Sequence, residues 1–407
     1  MTEVGLGVAV FTMIISTLVL MIVAAGALLT PKGDVEVRLN DGRLFKARAG
    51  RKLLEALAEE GIHLPSACGG RGTCGQCVVT VQDGAEPPLA VETSLLRRDD
   101  LLDGTRLACQ LTLRDDLAVS IPSEILGVRK FACTVRSNRS VATLMTELVL
   151  ELPAGEEIDF AAGGFIQVTS PPHQTAFTSF DVGAEYRGDW DRLDLWRHAV
   201  TSTTPTTRAY SIASPPSENR VLRLIVRIAI PPPGAPDTVP PGVVSSYLFG
   251  LKRGDAIEIA GPYGNFAVAD SDHELVFLGG GAGMAPLRSM IFDQLERVRT
   301  TRTMTFWYGA RNLTELFYRE DFEELQTTHE NFRWTVALSE PGEHDEWRGE
   351  IGFIHDVLYE RHLADHPAPE KCDYYLCGPP MMIQAAVRML TRLGVDRESI
   401  RFDDFGT

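Results

Sequence analysis

Four cysteines carry the chemistry most legible in this chain. Cys68, Cys74, Cys77 and Cys109 form the spacing C-x5-C-x2-C-x31-C around the run Gly69-Gly70-Arg71-Gly72-Thr73. Four thiolates suit two ferric ions bridged by sulfide, because soft ligands stabilise such a cluster. Structural zinc usually shows two paired C-x2-C units, and here there is one pair. The pattern points to a [2Fe–2S] centre held by all four. The glycines supply positive φ angles and backbone N–H groups aimed at sulfur, which a loop wrapped around a cluster needs. Three of the seven cysteines crowd into residues 68–77, unlike the spread framework of a small secreted disulfide domain. Cys133 and Cys372 read as buried, inert thiols.

A second group of residues has the spacing of phosphate cradles. Glu274 to Leu278 is a buried-strand run leading into Gly279-Gly280-Gly281-Ala282-Gly283-Met284, and a helical pattern follows. Strand, glycines and helix place free N–H groups where a pyrophosphate can sit. Gly242-Val243-Val244-Ser245-Ser246 likewise reads as a loop opening a helix. Two further motifs are Arg208-Ala209-Tyr210-Ser211 and Cys377-Gly378-Pro379-Pro380-Met381-Met382.

The elements that must position these residues fall into consecutive blocks. The hairpin pattern VEVRLNDGRLFKARAG turns at Asp41-Gly42, and the helical pattern RKLLEALAEEGI ends at Gly61. Residues 129–270 hold short β-patterned runs separated by Gly and Pro, as in a small antiparallel barrel. Residues 173–206 are too long for a minimal barrel; their aromatics read as a docking surface for another subunit. From 271 to 407, strands and helices alternate as in a doubly wound parallel sheet.

The first block is different. Val4 to Pro31 carries no charged residue, and the run exceeds the roughly 20 residues that span a bilayer core. Its only preceding charge is Glu3, whereas Lys32, Arg38, Arg43 and Lys46 follow, which puts the bulk of the chain on the cytoplasmic side. A cleaved signal peptide would want the opposite flanks, although Ala24-Ala25-Gly26-Ala27 imitates a cleavage site. The expected organisation is a transmembrane anchor over 1–33, an iron–sulfur domain over 34–128, a flavin barrel over 129–270 and a nicotinamide domain over 271–407. The net charge of −16 argues against nucleic acid as a partner, since phosphate binding needs clustered Lys and Arg.

Residues 34–125 resemble the β-grasp ferredoxins, an α+β fold, although five residues rather than four separate the first two cysteines. Arg-Ala-Tyr-Ser, the Gly242 loop, Gly261-Pro262-Tyr263-Gly264-x-Phe266 and Cys377-Gly378-Pro379 together resemble the ferredoxin–NADP reductase superfamily. That resemblance implies FAD and a nicotinamide substrate. It implies that Arg208 pairs with the flavin pyrophosphate, that Tyr210 packs on the flavin ring, and that Ser211 bonds near its reactive nitrogen. Gly242, Val244, Ser245 and Ser246 would hold the pyrophosphate. Gly280, Gly281, Gly283, Met284, Gly378, Pro379 and Met382 would line the nicotinamide site, with Cys377 beside the hydride path and Phe405 shielding the flavin. Arg311 is the basic residue near the second strand end, and alone it does not choose between NADH and NADPH.

The full order of anchor, ferredoxin, barrel and nicotinamide domain resembles the NADH-oxidising subunits of sodium-translocating NADH:quinone oxidoreductases. The resemblance implies an NADH entry subunit in a bacterial inner-membrane complex, with ubiquinone as final acceptor and sodium moved by other subunits. Reductase components of oxygenases share the three soluble blocks, but not the uncharged run. A docking adaptor that had lost catalysis would not need the complete ligand and motif set.

Overall fold

The computed structural model describes residues 11–21, 33–40, 42–66, 68–84, 87–122, 125, 128–232, 234, 239–342, 345–403 and 405. Residues 11–21 are helical and exposed, with Thr17 Oγ1 donating to the Met13 carbonyl at 2.8 Å. The rest of the expected span, and Asp41 of the hairpin turn, lie outside the described residues. Among the described residues no helix is long and apolar enough to cross a membrane. The chain divides into two compact units, residues 1–65 with 70–127, and residues 66–69 with 128–407.

In the first unit, Asp34–Leu39 and Leu44–Arg48 pair antiparallel, with Val37 opposite Phe45. Strict alternation buries Val35, Val37 and Leu39. Asp34–Leu39 also pairs parallel with Leu117–Ser120, which pairs antiparallel with Val78–Asp83, and that strand with Thr105–Leu107. The helix Leu53–Glu59 buries Leu53, Ala56 and Leu57 against this mixed sheet. It stops where Gly61 takes φ +79°. This is the expected α+β arrangement.

The second unit begins with a six-stranded antiparallel sheet. Its strands run in the order Thr206–Ser211, Phe165–Ser170, Ala256–Tyr263, Arg129–Ala142, Met145–Glu151 and Val221–Arg227. The two ends meet: Ile212 bridges Leu224, and Ala213 N–H donates to the Arg223 carbonyl at 2.7 Å. Closure removes the exposed edges and makes a barrel.

The aromatic insertion corrects the sequence reading. A ribbon of His173–Ala176 and Ala199–Ser202 carries the helix Ala184–Arg192. Phe177, Phe180, Tyr186 and Trp190 are buried in the barrel's own core and do not form an outward docking patch. The free energy of burying four large rings favours folding inward. Trp190 is wholly buried, and its indole Nε1 donates to the Thr143 carbonyl at 2.6 Å. Trp190→Phe should keep most of the packing but leave that carbonyl unpaired, costing about 2 kcal/mol. A urea midpoint indistinguishable from that of the parent chain would show that the bond contributes nothing.

The remainder is a six-stranded parallel sheet ordered Glu350–Ile351, Phe332–Leu338, Met304–Ala310, Glu274–Gly280, Cys372–Cys377 and Ile400–Asp403. Helices Met284–Phe292, Arg319–Thr328, Ile354–Leu358 and Pro380–Arg392 cover it, as a doubly wound sheet requires. The order reverses at Glu274–Gly280, the position where open α/β sheets bind ligands at the carboxyl ends of their strands. Barrel residues Val141, Met145, Ala213 and Ile225 share one core with Leu275, Phe277, Met284 and Tyr308, so barrel and sheet pack as one body.

Candidate functional site

The cysteine loop leads into Val78–Asp83, and Cys109 stands in the turn after Thr105–Leu107. Cys68, Cys77 and Cys109 are buried and Cys74 is half-buried. Gly69, Gly70, Gly72 and Gly75 all take positive φ. At Gly72 the requirement is also spatial, because a Cβ there would lie 2.4 Å from Gln110 Nε2. That same amide donates to Cys109 Sγ at 3.3 Å, the kind of bond that tunes a cluster's potential. The Cys77 thiol is pushed far up by its hydrogen bond with Cys109 and by burial. Paired buried thiols of this kind ionise together only when a cation compensates them, so the donor set fits an iron–sulfur centre.

A cavity of about 910 Å³ opens between barrel and sheet. Four chain segments converge on it. Arg208, Ala209, Tyr210 and Ser211 come from a barrel strand, and Gly242, Val244 and Ser245 from the start of the helix Val243–Gly250. Gly280, Gly281 and Gly283 come from the glycine turn, and Gly378, Pro379 and Met382 from the loop after Cys372–Cys377. Arg311 and Phe405 also belong to the lining, with Phe405 47% exposed.

Alternation along Thr206–Ser211 puts Arg208 and Tyr210 on one face. Burial raises the Tyr210 phenol, opposed by the Arg208 charge, so the ring presents a neutral surface. Ser211 is buried, and its Oγ donates to Asp403 Oδ2 at 3.4 Å, tying the motif to the last strand of the sheet. Ser245 Oγ donates to the Gly242 carbonyl and accepts from Ala229 N–H, both at 3.2 Å. That clasp aims the first N–H groups of the helix at the cavity.

Gly283 is held in a tight approach. A Cβ there would fall 2.0 Å from the Cys377 carbonyl oxygen and 2.6 Å from Gly378 N. Only a residue without a side chain lets the glycine turn and the Cys377–Gly378 peptide touch. Three expected site residues do not line the cavity: Met284, Cys377 and Ser246. Met284 and Cys377 lie wholly buried in the core shared by barrel and sheet. Ser246 is also wholly buried, and its Oγ has no partner among the described residues.

Comparison with known proteins decides the family. The model for a 2Fe-2S iron-sulfur cluster binding domain matches residues 37–114. An oxidoreductase FAD-binding domain matches 195–268, and an oxidoreductase NAD-binding domain matches 277–388. The F subunit of the Na(+)-translocating NADH-quinone reductase of Methylococcus capsulatus is 52% identical over 406 residues, covering 100% of both chains. This chain belongs to the same family, the F subunits of Na(+)-translocating NADH-quinone reductases. The corresponding protein of a Marinomonas species is 50% identical over 99% of each chain. Among solved structures, the Amycolatopsis cytochrome P450 reductase GcoB is 26% identical, covers 91% of this chain and 98% of its own, and has a TM-score of 0.64. The ferredoxin reductase in carbazole 1,9a-dioxygenase, 22% identical, covers 92% and 99% at a TM-score of 0.60 and shares the fold.

Several residues that matter to the site carry no motif in the sequence. Arg288 is buried with its guanidinium over the Phe292 and Tyr318 rings. It donates to the Ala213 carbonyl at 3.1 Å and to Asp321 Oδ2 at 2.8 Å. Beside it, Ser289 Oγ donates to the Ser214 carbonyl at 2.8 Å. The helix after the glycine turn is thus bolted to the segment after Arg-Ala-Tyr-Ser. Glu147 makes a second bolt by accepting from the Tyr318 hydroxyl and from Arg139. Burial opposes its ionisation, but Tyr318 and the Arg139 and Arg223 guanidinium groups outweigh this and hold its carboxyl low. The acid inside the apolar run LMTELVL, at a position flanked by Met145 and Val149 two residues either side, was the available signal for Glu147. Arg227 and Arg388 also line the cavity and add cationic groups for phosphate-bearing ligands.

Proposed function

We propose that this chain is the NADH-oxidising entry point of a sodium-translocating NADH:quinone oxidoreductase. The observation that carries the reading is the single cavity on which Arg208–Ser211, the Gly242 helix start, the glycine turn and the Gly378 loop all converge. When bound, FAD would accept hydride from NADH and release electrons singly to a [2Fe–2S] cluster.

The residues of the chain then have separable tasks. Arg208 offers a guanidinium fork to the flavin pyrophosphate, and Gly242, Val244 and Ser245 present backbone N–H groups to the same anion. Ser246, one turn behind, supports that helix start. Tyr210 packs on the flavin ring, Ser211 bonds near its reactive nitrogen, and Phe405 covers the ring until the nicotinamide arrives. Gly280, Gly281, Gly283, Gly378, Pro379 and Met382 shape the nicotinamide channel, backed by Met284 and Cys377 beneath its wall. Arg311 faces the adenosine end. Glu315 shares that lining, and its negative charge disfavours a 2′-phosphate, which supports NADH over NADPH. Cys68, Cys74, Cys77 and Cys109 hold the cluster.

The direct test is an anaerobic NADH titration of the full chain, followed by optical absorbance and low-temperature EPR. Flavin bleaching with a paramagnetic reduced-cluster signal is expected; no response to NADH would overturn the reading. Arg208→Ala should weaken FAD binding by about tenfold to hundredfold, since one charge-assisted bond contributes on the order of 1.5–3 kcal/mol. Equal flavin content after dialysis in variant and parent would remove Arg208 from that role.

The uncharged run from Val4 to Pro31 supports a single-pass anchor in a bacterial inner membrane, with the bulk cytoplasmic and ubiquinone reduced by partner subunits. Deleting residues 1–33 should move the chain from the membrane fraction to the soluble fraction. Retention in alkali-washed membranes without those residues would refute the anchor.

A further inference from the structure

We propose a zinc-class metal site at the amino-terminal edge of the parallel sheet, formed by Glu274, His366 and Cys372 with His362 supporting it. Glu274 and Cys372 are the first residues of adjacent parallel strands and stand directly in register. Register partners on neighbouring strands project to the same face. Five to six residues further along, the same two strands end at Cys377 and at the glycine turn, so the site lies roughly 16–20 Å from the nucleotide cavity.

Histidines reach this face from the helical segment that covers it. His362 lies in its last turn, Tyr359–Leu363, and His366 follows in the turn beyond. His366 Nε2 lies 3.2 Å from Glu274 Oε2 and 3.9 Å from Cys372 Sγ, and the three donor atoms all fall within 4.8 Å of one another. Tetrahedral zinc, with bonds of about 2.0–2.3 Å, separates its ligand atoms by roughly 3.3–3.8 Å. The cluster is therefore near binding geometry before any metal arrives.

His362 Nε2 bonds the other carboxylate oxygen, Oε1, at 2.8 Å. A ligating carboxylate is commonly oriented by such an outer partner. Trp307, whose ring centroid is 5.7 Å from that of His362, walls one side. Cys372 is buried, whereas Glu274, His362 and His366 are half-buried, so the donors sit in a dry floor with a path to solvent.

The donor chemistry selects the metal. Thiolate, imidazole and carboxylate together suit zinc, while magnesium and calcium want oxygen alone. Binding expels the thiol proton of Cys372 to solvent. It also leaves the His366 proton on Nδ1, so the 3.2 Å bond from Ala368 N–H is given up to water at this half-buried turn. A water completes the fourth position. The metal would tie together the two strands whose far ends carry the glycine turn and the Gly378 loop.

The test uses the full chain with flavin and cluster in place. The protein is equilibrated with zinc sulfate and gel-filtered, and the retained metal is counted against flavin. One zinc per chain is expected, with a zinc-edge absorption spectrum showing one sulfur near 2.3 Å and the remaining ligands nitrogen or oxygen. Cys372→Ser should lose the sulfur shell, and His366→Gln should weaken zinc binding at least tenfold, with flavin and iron contents at parent levels. The parent spectrum alone decides the matter if either variant fails to fold. No retained zinc, a shell without sulfur, an all-sulfur shell at the cluster cysteines, or equal retention in both variants would each overturn the proposal and leave a hydrogen-bonded His–Glu–His cluster.

Discussion

Cys74→Ala should abolish the [2Fe–2S] signal while leaving NADH-driven flavin bleaching intact. Three thiolates cannot complete the four-ligand set, so iron should fall from about two atoms per chain to near zero. Cys74 is the right ligand to remove because it is half-buried, whereas Cys77 and Cys109 are packed in the core of the first unit. Truncating either of those would confound cluster loss with unfolding. The flavin and nicotinamide residues belong to the other compact unit, with its own cores. NADH reduction of a small artificial acceptor at the flavin should therefore continue near the parent rate, and transfer to the cluster should stop. If the variant no longer bleached its flavin with NADH, the two units would not be separable, and the assignment of distinct tasks to them would fail.

How much of the fold and site is legible in the sequence follows from the range of the interactions involved. Period-two burial in DVEVRL and the turn at Gly42 are local, so the first hairpin can be read directly. The glycine turn also carries its meaning in sequence, because a strand followed by closely spaced glycines and a helix has few other uses. Barrel closure through Ile212 and Leu224 is not readable, since it depends on how six strands twist and coil together. The insertion aromatics mislead for a related reason. Tyr186 and Trp190, four residues apart, share a helix face, but that spacing does not say which surface the face packs on, and only the barrel's open side decides it. Arg288, Glu147 and Asp403 act on partners far away in the chain, at Ala213, Tyr318 and Ser211. No local pattern marks such residues, although they set the spacing between barrel and sheet. The anchor is read from hydropathy alone, and the structure describes only residues 11–21 of it.

Gly283→Ala should reduce NADH-dependent flavin reduction by about a hundredfold or more while leaving flavin and iron content unchanged. The added methyl would stand 2.0 Å from the Cys377 carbonyl oxygen and 2.2 Å from its carbon, and both are backbone atoms. No rotamer change relieves that contact, so either the glycine turn or the Cys377–Gly378 peptide must move by about an ångström. A displacement of that size between reacting partners can cost on the order of 10²-fold in rate. Flavin retention should survive because its expected ligands, Arg208 and the Gly242 helix start, belong to the barrel, on the other side of the cavity. The backbone angle at Gly283 is ordinary, φ −60°, so conformational strain does not contribute and the effect isolates the steric approach. Single-turnover reduction by NADH followed at the flavin band reads the result. A parent-like rate in the variant would mean that the two loops need not touch during hydride transfer, and the channel assigned to Gly283 and Gly378 would have to be drawn elsewhere.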